Sequence, residues 1–273
     1  MTSLARHIFN RKACVETPDG FLKLHSKSIF GPAHTRISIP KDGLIYSAFL
    51  KNGYWSLPTS FFIFQRIKKI NHPLILDLGA HVGLVSLQSL KLNFGFGRVI
   101  AVEALPNHFK ALSENFESLN LTSYCGALVA NSSVTSVKMS VDSVNFGNSS
   151  LLDEIVSKDL GRNYQIEVPV IPQSIVTNAI NGSKFILKTD LQGLDVAVLS
   201  SFGDDFWRNC SGGVIEVNAH SQIDFQHVNV LLERLADYSH VSWNPFFTRR
   251  ISDREIFDFW TSGKKCEKDL YFW

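Results

Sequence analysis

Leu74-Ile75-Leu76-Asp77-Leu78-Gly79-Ala80-His81-Val82-Gly83 decides how the rest of the chain is read. An apolar run leads into a loop that contains two glycines. Leu84, Val85, Leu87 and Leu90 then follow with helical periodicity. The order is strand, glycine loop, helix. Gly79 permits a tight turn and lets a ligand approach the backbone, because a Cβ would block it. The N–H groups that open the next helix face whatever sits on the loop. Asp77 narrows the ligand: a carboxylate at a strand end repels a pyrophosphate and suits an amine or a sulfonium.

A second signal follows. Arg98-Val99-Ile100-Ala101-Val102-Glu103 reads as another buried strand ending in an acid. Glu103 lies about 20 residues past Gly83, the offset at which a carboxylate binds ribose hydroxyls. Taken together, these points indicate an adenosine-type cofactor. A tight turn in any parallel α/β protein is the plainer reading of the glycine loop alone.

Outward from this centre the elements alternate. Phe109, Leu112, Phe116 and Leu119 make one apolar helical face, and Tyr124 to Val129 reads as the third strand. Val134 to Val141 and Gln165 to Ile171 alternate with period two, as in an inserted hairpin or edge strands. Between them lie a turn at 145–150 and a short predicted helix, Leu151 to Leu160. Lys184 to Asp190 is the fourth core strand, and a loop and helix over Leu191 to Phe202 follow it. Gly213 to Asn218 is the fifth strand. A helix marked by Phe225, Val228, Leu232 and Leu235 leads to a sixth strand, Val241 to Trp243, and Asp269 to Trp273 is the last. Such alternation predicts an α/β fold, a mostly parallel sheet with helices on both faces.

Upstream of the core, Ile37-Ser38-Ile39 and Leu44-Ile45-Tyr46 read as short strands around the turn Pro40-Lys41-Asp42-Gly43. Lys51 to Trp55 is a turn followed by aromatics, and Phe61 to Ile70 suits a helix. Tyr54 and Trp55 either cover a ligand or pack the N-terminal region onto the core. Residues 1–70 therefore form an N-terminal cap region packed on a core of residues 71–273, within one domain overall.

Bulk composition excludes several classes. The 273 residues permit one large α/β domain, and 45% hydrophobic with 19% charged residues describes a soluble globular chain. A formal charge of +2 without a long basic run gives no nucleic-acid signature. No apolar stretch is long enough to span a bilayer, so no membrane partner is expected. Arg6, Arg11 and Lys12 make a basic N-terminal tail without the apolar core of a secretory signal. Cys14, Cys125, Cys210 and Cys266 are far apart and read as reduced thiols of a cytoplasmic protein. The oligomeric state is open.

Ligands of such a sheet bind outside the carboxyl ends of the strands, at the switch point. Asp77, Glu103, Asp190 and Glu216 each lie at or near such an end. Asp190 also precedes a helix and suits a cap.

The blocks Asp-Leu-Gly-Ala-His-Val-Gly (77–83), Val-Ile-Ala-Val-Glu-Ala-Leu-Pro (99–106), Ile-Leu-Lys-Thr-Asp-Leu-Gln-Gly-Leu-Asp-Val-Ala-Val-Leu (186–199) and Val-Ile-Glu-Val-Asn (214–218) resemble the FkbM family of S-adenosylmethionine-dependent methyltransferases. The resemblance runs from about Leu74 to Glu216. It implies a seven-stranded Rossmann-like sheet with the last strand antiparallel, and methyl transfer to a hydroxyl of a sugar or small metabolite. Carried over by position, Asp77, Gly79, Ala80, His81 and Gly83 form the loop under the methionine part of the cofactor. Glu103 binds the ribose, with Ala104 next to it. Ser150 lies near the adenine. Lys188, Asp190 and Glu216 lie near the transferred methyl. The chain departs from the family pattern at His81 (usually Asn), Ala104 (usually Pro), Gln192 (usually Glu) and Asp195 (usually Glu).

Methyl transfer from a sulfonium is an in-line displacement, helped by positioning and by a base that takes the hydroxyl proton. Asp190 is the first candidate base, and His220, just past the fifth strand, is the second. Lys188 either orients the acceptor or forms a buried ion pair with Glu216. No metal is expected, although Asp190, Glu216 and Asn218 are oxygen ligands able to hold magnesium. Two alternatives stand beside this reading. One is a nicotinamide-dependent oxidoreductase, which normally needs a glycine where His81 stands. The other is a catalytically inactive cofactor-binding protein, motivated by Gln192.

Overall fold

The computed structural model describes residues 14–17, 21–24, 30, 35–41, 43–130, 133–142, 147, 149–152, 163–219, 223–246, 249–262 and 266–273, without the side chain of Cys266. Seven strands form the central sheet. In chain order they are β4 (Leu74–Leu78), β5 (Arg98–Glu103), β6 (Asn120–Cys125), β9 (Phe185–Thr189), β10 (Cys210–Ala219), β11 (Val241–Ser242) and β12 (Cys266–Phe272). Their spatial order is β11-β12-β10-β9-β4-β5-β6. β4 pairs in parallel with β5 and β9, and β9 in parallel with β10. β12 runs antiparallel to both of its neighbours. The chain reverses its winding between β4 and β9, which puts the switch point beside the glycine loop.

Strand alternation sends neighbouring side chains to different layers. Leu74, Leu76 and Leu78 of β4 enter one core with Phe185 and Leu187 of β9. That layer is closed by α5 (Gln173–Ile180), α6 (Asp195–Ser200), α7 (Asp204–Asn209), α8 (Phe225–Ala236) and α9 (Asp253–Trp260). Ile75, Val99 and Ile186 enter the opposite core. There they meet α1 (Leu44–Asn52), α2 (Leu57–Ile67), α3 (Leu84–Leu92) and α4 (Pro106–Asn115). β4 and β9 are buried along their whole length, as strands covered on both faces are. Cys14, Cys125 and Cys210 are free thiols.

Two small sheets flank the core. β1 (Cys14–Glu16), β2 (Leu22–Leu24) and β3 (Arg36–Ile37) form one, and their Cys14, Leu22, Leu24 and Ile37 join the second core. β7 (Ser136–Asp142) and β8 (Asn163–Pro169) pair antiparallel, as the period-two alternation predicts. The helix expected over Leu151 to Leu160 lies almost wholly outside the described residues, as does His220.

Three expectations are corrected. Leu44-Ile45-Tyr46 is the start of α1, because a short apolar run fits either period and Phe49, further on, is buried at helical spacing. The third core strand is Asn120–Cys125 rather than Tyr124 to Val129; its polar residues are tolerated at the sheet edge. Asp190 does not cap the next helix. The N-cap position is Leu194, and Asp195, the first helical residue, turns back to accept from the Leu191 N–H at 3.0 Å and from the Thr189 hydroxyl.

Candidate functional site

The loop after β4 is held from both sides. The Gly79 and Ala80 N–H groups donate to Val102 O at 2.9 and 3.0 Å, and the Asp190 N–H donates to Leu78 O at 2.9 Å. Gly79 has φ +76°, and a Cβ there would lie 1.9 Å from the Asp190 carbonyl oxygen. Gly83 serves packing: a Cβ would meet Leu112 at 2.5 Å and Phe116 at 2.6 Å on α4. Asp77 is 1% exposed and lies beneath the loop. Its Oδ2 accepts from the Ser86 hydroxyl at 2.6 Å, and Lys188 Nζ lies 3.1 Å from Oδ1. Lys188 donates to Gly79 O at 2.6 Å. Its ion-pair partner is thus Asp77 rather than Glu216. Burial opposes the Lys188 charge, but Asp77 and Asp190 outweigh it and raise its pKa.

A cleft of about 220 Å³ opens over the carboxyl ends of the strands. Gly79, His81, Glu103, Ala104, Ser150, Asp190, Gln192 and Glu216 line it. Asp77, Ala80, Gly83 and Lys188 support it from outside. At one end Glu103 accepts from the His81 N–H at 2.7 Å and from the Leu105 N–H at 2.8 Å. His108 Nδ1 stands 3.7 Å from the same carboxylate, and its ring packs at a tilt of 49° against that of His81, centroids 4.0 Å apart. Burial works against ionisation of Glu103. His108, His81 and the Leu105 N–H prevail and hold its pKa below the ordinary carboxylate value. Leu105, Ala127, Leu128 and Met139 supply an apolar slot next to it.

At the other end, Gln192 sits between two acids. Its Nε2 donates to Asp190 Oδ1 at 2.6 Å and to Glu216 Oε2 at 2.9 Å, and Asn218 Nδ2 also donates to Glu216 Oε2, at 2.9 Å. Burial, and then the Asp190 charge, push Glu216 well above the usual carboxylate range. Gln192 and His81 have φ of +49° and +52°, a conformation uncommon for residues other than glycine, and both line the cleft. Ser150 donates to Gln192 O at 2.7 Å and so ties the β7–β8 insertion to this end.

Sequence reasoning missed four members of the site, of which His108, beside Glu103, is the first. Buried Gln88 on α3 accepts from the Trp55 N–H at 2.9 Å and donates to Ser60 Oγ at 2.6 Å, which fixes Trp55 in the cleft wall. Ser86, Gln88 and Ser89, polar residues among the buried positions of α3, were the available signal. Glu267 and Asp269 come from β12, opposite Asn218 and Glu216. They line an adjoining cavity of about 330 Å³ with Trp55, Thr59, Asp190 and Glu216.

A glycine loop at the switch point and an acid at the end of the next strand define a Rossmann-like ligand site. The methyltransferase FkbM domain profile matches residues 77–240, more than half of the chain. The chain belongs to that family, and S-adenosylmethionine is its expected cofactor. Among solved structures, it is similar to the FkbM methyltransferase of Methylobacillus flagellatus KT, with 13% identity over 83% of this chain and 60% of that one (TM-score 0.42). It is also similar to a TehB-like S-adenosylmethionine-dependent methyltransferase of Corynebacterium glutamicum ATCC 13032, with 10% identity over 83% and 92% of the two chains (TM-score 0.40). A third likeness is to an S-adenosylmethionine-dependent methyltransferase of Clostridium acetobutylicum ATCC 824, with 12% identity (TM-score 0.34). It covers 64% of this chain and 55% of that one. No curated protein matches the chain.

The residues fit the cofactor. An ionised acid with both oxygens anchored is preorganised for ribose hydroxyls, since a carboxylate oxygen accepts more than one hydrogen bond. The apolar slot beside it suits a flat heterocycle. Glu103→Ala is expected to weaken S-adenosylmethionine binding by about 1.5–3 kcal/mol, the scale of charge-assisted hydrogen bonds. Calorimetry on the folded variant checks this, and unchanged affinity would remove Glu103 from the cofactor site.

Proposed function

We propose that the chain methylates a hydroxyl oxygen of a sugar or another small polar metabolite. The observation that carries this reading is the adjoining cavity, which meets the cofactor cleft at Asp190 and Glu216 and is lined by carboxylates. Carboxylates accept hydrogen bonds from hydroxyls and orient them. Bound S-adenosylmethionine supplies an electrophilic methyl group. Asp190 takes the hydroxyl proton as the oxygen attacks. Gln192 holds the Asp190 carboxylate in place through the 2.6 Å hydrogen bond that its amide donates. Burial and the Asp190 charge raise the Glu216 pKa, and its Oε2 already accepts from Gln192 and Asn218, which leaves Asp190 as the base. Lys188 steadies the seam between Gly79 and Asp77. Trp55 closes the wall towards solvent.

The test is mass spectrometry of cell extract incubated with the protein and isotopically labelled S-adenosylmethionine. Label in a hydroxyl-bearing small molecule supports the reading. Label confined to nitrogen, or to a macromolecule, overturns it.

Catalysis is expected to need no divalent ion. The Gln192 amide donor lies within hydrogen-bonding distance of both Asp190 and Glu216, in the place a bridging cation would take. Turnover should survive exhaustive chelation undiminished. Loss that magnesium restores would make Asp190, Glu216 and Asn218 ligands instead.

A further inference from the structure

The opposite edge of the sheet, at the amino ends of the parallel strands, carries an unusual loop. Residues 93–97 join α3 to β5. The Phe94 N–H donates to Lys91 O at 3.1 Å and the Gly95 N–H to Leu90 O at 2.7 Å. This pair of bonds is the helix-ending motif whose left-handed position normally holds glycine. Here that position is Phe94, with φ +56°. Gly95 stands next in line, so a glycine one residue earlier would have met the backbone demand. Phe94 is instead 100% exposed, and Phe96 is 63% exposed. A bulky aromatic thus sits where the backbone disfavours it and where water surrounds it.

The surroundings are basic. The Arg98 N–H donates to Pro73 O at 3.0 Å, which sets this loop against residues 68–73. That segment presents exposed Lys68 and Lys69 just past α2, and Lys91 lies in the last turn of α3. Exposed Glu117 lies on the turn after α4, whose Leu119 would be 3.5 Å from a Cβ at Gly95. Lysines at helix C-termini are ordinary by themselves. Their combination with two outward aromatics on a narrow tip is not.

We infer that the Phe94–Phe96 tip, with Lys68, Lys69 and Lys91, seats the protein on an anionic lipid surface. Aromatic rings favour the bilayer interface, and lysines beside them are drawn to acidic headgroups. Glycines flank both rings, so the tip offers separate wedges rather than the continuous apolar patch that a protein partner covers. The absence of a spanning segment, from which no membrane partner was expected, does not bear on a loop that only dips into the interface. Among the described residues no helix is long and apolar enough to cross a membrane.

The test is flotation of the full chain with phosphatidylcholine vesicles, with and without phosphatidylglycerol. The chain should rise with the anionic vesicles, and less as salt increases. Phe94→Gly with Phe96→Ser should lower the bound fraction at least about tenfold. Lys68→Gln and Lys69→Gln should each lower it about fivefold. Phe94→Gly suits the left-handed position, so its melting temperature should be unchanged or higher, which separates lost binding from lost folding. Wild-type protein that stays unbound to anionic vesicles at low salt overturns the inference. So does a double aromatic variant that floats as well as wild type. A Phe94-dependent dimer in lipid-free sedimentation also overturns it, making a second copy the occupant.

Discussion

Lys188→Met is expected to remove about 3–5 kcal/mol of folding stability, the cost of leaving one member of a buried ion pair alone. Asp77 would keep only the Ser86 hydroxyl for its charge, and Gly79 O would lose its donor. This loss is a large share of the stability of an ordinary domain. Because nearby acids raise the Lys188 pKa, the lysine's contribution is fully present below its unfolded pKa and is lost as pH climbs through the raised folded value. Urea unfolding at neutral pH measures the effect. The double variant with Asp77→Asn should recover part of the loss, since the asparagine carries no charge and still accepts from Ser86. A change below about 1 kcal/mol in Lys188→Met would mean that the lysine is dispensable to the seam.

Asp190→Asn should lower turnover about 10²–10⁴-fold, the usual worth of a general base. The substitution keeps the shape, and an asparagine oxygen still accepts from Gln192. Cofactor affinity should therefore hold while transfer of labelled methyl collapses. If turnover falls by less than about tenfold, the acceptor is acidic enough to react through positioning alone, and the hydroxyl reading loses its base.

Much of this was legible in the chain. β4 and β5 each carry a buried apolar run, Leu74 to Leu76 and Val99 to Val102, that leads to a turn lining the cleft, and burial on both faces makes such runs easy to read. The acids Glu103, Asp190 and Glu216 stand at strand ends that parallel topology brings to one edge. Glu267 and Asp269 escaped notice because β12 is antiparallel, so the start of that strand lies at this edge. Sequence reading looked for acids where strands end. Leu44 to Tyr46 misled because three apolar residues carry no period. Asp195 has the look of an acceptor-side acid, yet burial and the Thr189 hydroxyl make it a fastening between β9 and α6.

The contact of Gly79 with the Asp190 carbonyl has a kinetic side. No methyl group fits between them, so the floor of the cleft has no slack in which to breathe. Any movement of a bound molecule that spares this contact passes on the roof side of the cleft. That roof is formed by α1, Trp55 and the segment around Ser150, none of which belongs to the parallel strands. Because Ser150 of that roof donates to Gln192 O, and Gln192 to Asp190, a substitution there reaches the far end of the cleft as well.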